Sequence, residues 1–171
     1  MKTIVNNIII AIVLIAAIFC CTKEPDPSGG MNLTATLFGN PQCKGLKSAE
    51  LVGSRSNSQS CIEYSFNQTL KILTLKHINA GFNCCPENLS CTATNRNDTI
   101  VIQEFEKSMG CKCNCLYDLE MEVNGVEPGK YQLRIIEPYV GSQVQLNFEL
   151  DLLKQKEGTW CVTRWVYPWG E

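Results

Sequence analysis

The chain has 171 residues, of which 44% are hydrophobic and 19% charged, and its formal net charge is −2. With no basic run anywhere, this balance argues against nucleic acid or an anionic membrane surface as a partner. The length supports one domain with a real core.

Residues 1–20 read as a targeting segment. Lys2 precedes an apolar run from Ile8 to Phe19, which suits a signal-peptide core and is too short to span a membrane. The run ends at Cys20-Cys21-Thr22-Lys23-Glu24, which resembles a bacterial lipoprotein signal. Cys21 is the expected lipidated residue, with Ile18 three before it and the small Cys20 just before it; Cys20 as acceptor would follow Phe19, a poor fit. The competing reading is an ordinary signal peptide with a chance cysteine pair. Residues 21–30 contain Pro25, Pro27, Ser28, Gly29 and Gly30 and read as a lipidated tether. Removing residues 1–20 leaves 151 residues with 14 Lys and Arg against 17 Asp and Glu, a net −3.

Residues 31–171 are expected to form a single domain. Met31 to Gly39 alternates and reads as the first strand, stopped by Asn40-Pro41. Gln42 to Ser60 reads as a loop with a brief strand at Ala49–Val52, stapled by a bridge between Cys43 and Cys61. Cys61 to Phe66 and Thr69 to Asn79 are the next strands, the second with apolar residues on both faces and so buried partly on both. Ala80 to Asn83 leads into a cysteine-dense stretch. Leu89 to Thr94 is a short strand, Asn95 to Asp98 a hairpin turn, and Thr99 to Glu106 a strongly β-prone run.

Lys107 to Gly110 is then a loop into Cys111-Lys112-Cys113-Asn114-Cys115. From Cys111 to Val123 the pattern has period two, so this segment reads as a half-buried strand with three thiols on one face. Thiols that share a face point the same way and need partners elsewhere. Cys84, Cys85 and Cys91 are the nearby candidates, closing loops of about 20–30 residues. Lys130 to Glu137, Gln143 to Leu153 and Thr159 to Val166 complete the strands.

No segment shows a sustained helical period and no repeat is visible. Eight or nine short strands between turns predict an all-β fold, an antiparallel β-sandwich, Ig-like in the loose sense, with a small barrel as the alternative. With Cys21 acylated, Cys43, Cys61, Cys84, Cys85, Cys91, Cys111, Cys113, Cys115 and Cys161 remain; nine is odd, so one is free or pairs between chains. The export signal favours disulfides. The alternative is a metal site or a protease-inhibitor-like protein built on the cluster, but an extended C-x-C-x-C holds its sulfurs too far apart for one metal.

The run His77 to Pro86 (HINAGFNCCP), followed by Gly110 to Leu119 (GCKCNCLYDL), resembles a family of cysteine-rich surface lipoproteins in Bacteroidota. The resemblance spans about residues 60–137. It implies an exported, anchored, mostly β protein and brings no activity with it. Lys23-Glu24 resembles the short export tag of surface lipoproteins in that phylum. Asp98-Thr99-Ile100 looks like its O-linked glycan site, which makes Thr99 a candidate, set at an accessible hairpin tip.

No catalytic signature is present. His77 lies in a predicted strand beside cysteines that read as bridged, so it is expected to be a satisfied structural histidine. Asp118, Glu120 and Glu122 read as a solvated strand face. Trp165, Tyr167 and Trp169 sit in an aromatic tail that either packs into the sandwich or forms a platform for a glycan or protein ligand. The sequence therefore predicts an outer-membrane or cell-surface lipoprotein. It is expected to be a non-enzymatic binding or structural module with no cofactor and with a membrane partner only through its lipid.

Overall fold

A computed structural model describes residues 30–44, 58–108 and 111–166. The signal segment, Cys21, the Ala49–Val52 strand, Tyr167 and Trp169 lie outside the described residues.

Among the described residues nine strands follow in order: β1 (Thr34–Phe38), β2 (Gln59–Asn67), β3 (Ile72–Asn83), β4 (Pro86–Arg96), β5 (Thr99–Ser108), β6 (Asn114–Asn124), β7 (Lys130–Ile136), β8 (Asn147–Asp151) and β9 (Glu157–Thr163). They form two sheets, ordered β1-β6-β3-β2-β9 and β4-β5-β7-β8. The fold is thus the expected all-β sandwich. Period-two patterning explains it: alternate residues such as Ile62, Tyr64 and Phe66 on β2, or Leu119, Met121 and Val123 on β6, are buried between the layers. Burying one such side chain contributes roughly 1.5–3 kcal/mol.

Among the described residues every ladder but one is antiparallel; β5 and β7 run parallel. The cause is topological. β6 lies in the other sheet, so the chain crosses the sandwich twice between β5 and β7 and returns in its original direction. The β4–β5 hairpin closes on Asn97-Asp98, where Asn97 takes φ 54°, as a two-residue turn requires.

Strand boundaries differ from the sequence reading in places. β3 runs on to Asn83, because a bulge at Asn79 (φ 61°) restarts the ladder with β6 after a one-residue shift. β5 reaches Ser108, which shortens the expected loop. β6 begins at Asn114, so Cys111 and Cys113 precede the strand. β8 is shorter than the Gln143–Leu153 alternation and β9 ends at Thr163.

The two sides of the sandwich are closed differently. On one, β1 packs against β4. On the other, β8 and β9 are both sheet edges, and they meet where Phe148 stacks on Trp160 with centroids 5.4 Å apart.

Candidate functional site

Three places concentrate chemistry. The first is the sulfur-rich end. Asn83, at the end of β3, is buried and works as a polar hub: its Nδ2 donates to Cys111 O (2.6 Å) and its Oδ1 accepts from Cys85 N (3.1 Å). Its own N donates to Glu106 Oε2 (2.8 Å), and its carbonyl accepts from Tyr117 Oη (2.9 Å). Around this hub Cys84 pairs with Cys113 and Cys85 with Cys111, across sequence separations of 29 and 26 residues. Those loops are of the length read from the sequence.

Two other bridges depart from that reading. Cys43 pairs with Cys115, not Cys61, and Cys61 pairs with Cys161. The reason is placement. Cys61 and Cys161 face each other across the β2–β9 ladder with Cα atoms 4.0 Å apart. The chain at Lys44 lies along β6, bridging to Leu116, which brings Cys43 to Cys115. Cys91, expected to bridge to the Cys111–Cys115 run, is instead the free thiol among the described residues, because Cys43 takes Cys115 while Cys91 is buried on β4 opposite Glu104. Burial and then the Glu104 charge push its pKa up to about 11, so it stays protonated and unreactive at neutral pH.

The second place lies between the sheets. His77 is fully buried, and its Nδ1 lies 2.7 Å from Glu104 Oε1 while its Nε2 lies 2.9 Å from Ser60 Oγ. Glu137 Oε1 is 3.7 Å from Nε2, and Glu137 Oε2 accepts from Arg164 Nη2 at 2.5 Å. Arg164 Nη1 also donates to Val144 O (2.6 Å). Burial pulls the His77 pKa down, and Arg164 adds to that. The charge and hydrogen bond of Glu104, with the charge of Glu137, outweigh both, so the net direction is up. Burial, aided by Glu104, raises the Glu137 pKa despite His77 and Arg164. The cluster thus sets two basic side chains, His77 and Arg164, against two acidic ones, Glu104 and Glu137.

Ser60–His77–Glu104 has the hydrogen-bond spacing of a hydrolytic relay. Ser60 is fully buried, however, so a substrate carbonyl does not reach its hydroxyl in this conformation. The cluster is arranged to hold protons and charge within the core.

The third place is the β8–β9 seam, where a groove of about 380 Å³ is lined by Leu146, Phe148, Trp160 and Val162, with Gln132, Asn147 and Glu149 beside them. Trp160 is 46% exposed although its ring lies flat on the buried Phe148. Gln132 Nε2 donates to Asn147 Oδ1 (2.8 Å), fixing both amides at the rim. Trp165 is 65% exposed, and its backbone N donates to Gln143 Oε1 (3.0 Å). Its ring is therefore not packed into the sandwich.

Thr99 is the first residue of β5, directly after the hairpin turn, and is half-buried rather than at the tip itself. A second hollow of about 340 Å³ adjoins it, between Asp98, Lys130 and Asp151. Asp118 and Glu120 pair with Lys44 and Lys76, so that strand face is cross-linked by ions to its neighbours. Among the described residues no three His, Cys, Asp or Glu side chains gather as metal ligands would.

Ser60, Glu104, Glu137 and Arg164 were not legible as a group, yet each left a trace. Ser60 shares the register of Ile62 and Tyr64, Glu104 that of Ile100 and Ile102, Glu137 that of Leu133 and Ile135, and Arg164 that of Val162. A polar residue in the apolar register of a strand is the signal of a buried polar site. Comparison with protein-family models, with curated proteins and with solved structures finds no match.

Proposed function

We propose that the chain is a lipid-anchored protein of the bacterial outer membrane whose β-sandwich is a non-enzymatic binding module, with the β8–β9 seam as its ligand site and a carbohydrate as its ligand. The observation that carries this reading is Trp160: a large ring, braced flat on Phe148, that stays nearly half exposed. A braced aromatic face stacks on the apolar face of a sugar ring. The neighbouring amides of Gln132 and Asn147 and the Glu149 carboxylate offer hydrogen bonds to hydroxyls around it.

Anchoring and location are supported by the Cys20-Cys21 motif after an apolar run and by the resemblance to cysteine-rich lipoproteins of Bacteroidota. Eight cysteines in four bridges suit an oxidising compartment. Lipidation is tested by metabolic labelling with a fatty-acid probe, which Cys21→Ala should abolish.

The ligand site is tested by glycan-array binding followed by titration calorimetry on the best hit. Trp160→Ala should weaken binding roughly tenfold or more, about 1.4 kcal/mol, while Trp165→Ala should leave it nearly unchanged. Equal binding by wild type and Trp160→Ala would remove the seam as the site. An array on which the wild type binds nothing would remove carbohydrate as the ligand class.

A further inference from the structure

On the outer face of the five-stranded sheet, three side chains form a row across neighbouring strands. Lys44 lies beside β6, Asp118 is on β6 and Asn79 is on β3. Asn79 is the bulge residue, with φ 61° and no exposure. A non-glycine residue held in the left-handed region inside a long strand is unusual, and a bulge serves to re-aim a side chain. Here it turns the carboxamide sideways into the row.

The atoms are specifically placed. Lys44 Nζ donates to Asn79 Oδ1 (2.8 Å) and also pairs with Asp118 Oδ1. Asp118 Oδ1 accepts from the Asn79 backbone N (3.1 Å). Asn79 Nδ2 donates to Gln59 O (2.6 Å). Lys44 is fixed by its own N, which donates to Leu116 O (2.8 Å), and by the adjacent Cys43–Cys115 bridge. A lysine nitrogen thus hydrogen-bonds the oxygen of a side-chain amide, with a carboxylate touching that nitrogen and a hydrogen-bond acceptor on the amide nitrogen.

We propose that Lys44 and Asn79 become joined by an intramolecular amide bond, with Asp118 carrying the proton between them. One proton passes from the Lys44 ammonium to the Asp118 carboxylate, leaving an amine and a carboxylic acid. The amine lone pair attacks Asn79 Cγ, forming the Nζ–Cγ bond. Asp118 returns the proton to Nδ2 as the Cγ–Nδ2 bond breaks, so that Nδ2 leaves as ammonia; Nζ then gives its second hydrogen as a proton to that ammonia, which departs as ammonium and leaves a neutral amide and an ionised Asp118. No oxidant, reductant or further reactant enters. Holding the two groups in contact converts a slow bimolecular aminolysis into a unimolecular step. The product is a cross-link over a separation of 35 residues that thiols cannot reduce.

The test is mass spectrometry on the purified full-length protein. After reduction, alkylation and proteolysis, the wild type should yield a branched peptide joining Lys44 to Asn79, lighter by one ammonia than the two linear peptides together. Trypsin should fail to cut after Lys44. Lys44→Arg should give only linear peptides, and Asp118→Asn should leave Lys44 and Asn79 mostly unjoined. Should either variant fail to fold, the wild-type map alone decides. Linear wild-type peptides carrying a free Lys44 amine and an intact Asn79 amide would overturn the proposal. A branched peptide at wild-type yield in Asp118→Asn would overturn the role of Asp118.

Discussion

His77 and Asn79 sit two residues apart on β3, and both are fully buried, yet their surroundings differ in kind. His77 points between the layers and meets Glu104 and Glu137, which come from and follow strands of the opposite sheet, and Ser60 from its own. Asn79, displaced by the bulge, meets Lys44 and Asp118 along the outside of one sheet, where their side chains keep 23% and 36% of their exposure. The first site is sealed, so its charges act on stability. The second is at the rim, so a small product such as ammonia can leave. Where a polar group sits relative to the layers, more than which groups surround it, decides what it can do.

The comparison breaks most sharply at Arg164. Arg164→Ala leaves Glu137 buried beside His77 without its guanidinium and should cost about 3–5 kcal/mol in urea unfolding. On the outer face, Lys76→Ala removes a half-exposed partner of Glu120 and should cost about 0–1 kcal/mol. Equal losses would mean that the sealed and open sites do not differ as described. Replacing both Cys61 and Cys161 with alanine removes the covalent tie between the hydrogen-bonded strands β2 and β9 and should cost roughly 2–5 kcal/mol.

A smaller effect is the pH dependence of the sealed site. His77 and Glu137 both have raised pKa values, so the folded chain retains protons that the unfolded chain releases. Their contribution is complete below the unfolded values, 4.5 for Glu137 and 6.5 for His77. It is lost as pH rises through the folded values. Stability should therefore decline on alkalinisation, by up to about 1.4 kcal/mol per pH unit for each proton involved. His77→Gln should flatten the decline above neutrality in unfolding curves recorded at several pH values; an unchanged slope would assign it to other groups. Cys91→Ala should cost about 1 kcal/mol and remove one thiol from the count titrated in denaturant.

The strands were legible because alternation is a local property: Ile62, Tyr64 and Phe66 announce β2 without help from any distant residue. The layer architecture followed from the number of such segments. The bulge was not legible, since an asparagine within a strand pattern reads as its end, as it did at Asn79. The parallel β5–β7 pair was hidden because direction depends on which sheet β6 joins. Cysteine pairing depends on ladder register, and neither the β2–β9 nor the Lys44–Leu116 register is written in spacing. The exposure of Trp160 depends on both sheets ending at the same side, which no single strand declares.

The connectivity of the bridges bears on how the chain matures. During emergence from the N-terminus, Cys43 and Cys61 are the first of the bridging cysteines to become available, but their native partners lie 72 and 100 residues downstream. An oxidant that couples thiols in order of arrival would tie these two together wrongly. Correct maturation then depends on isomerisation after the whole chain is present, a process that takes seconds to hours and is accelerated by an isomerase.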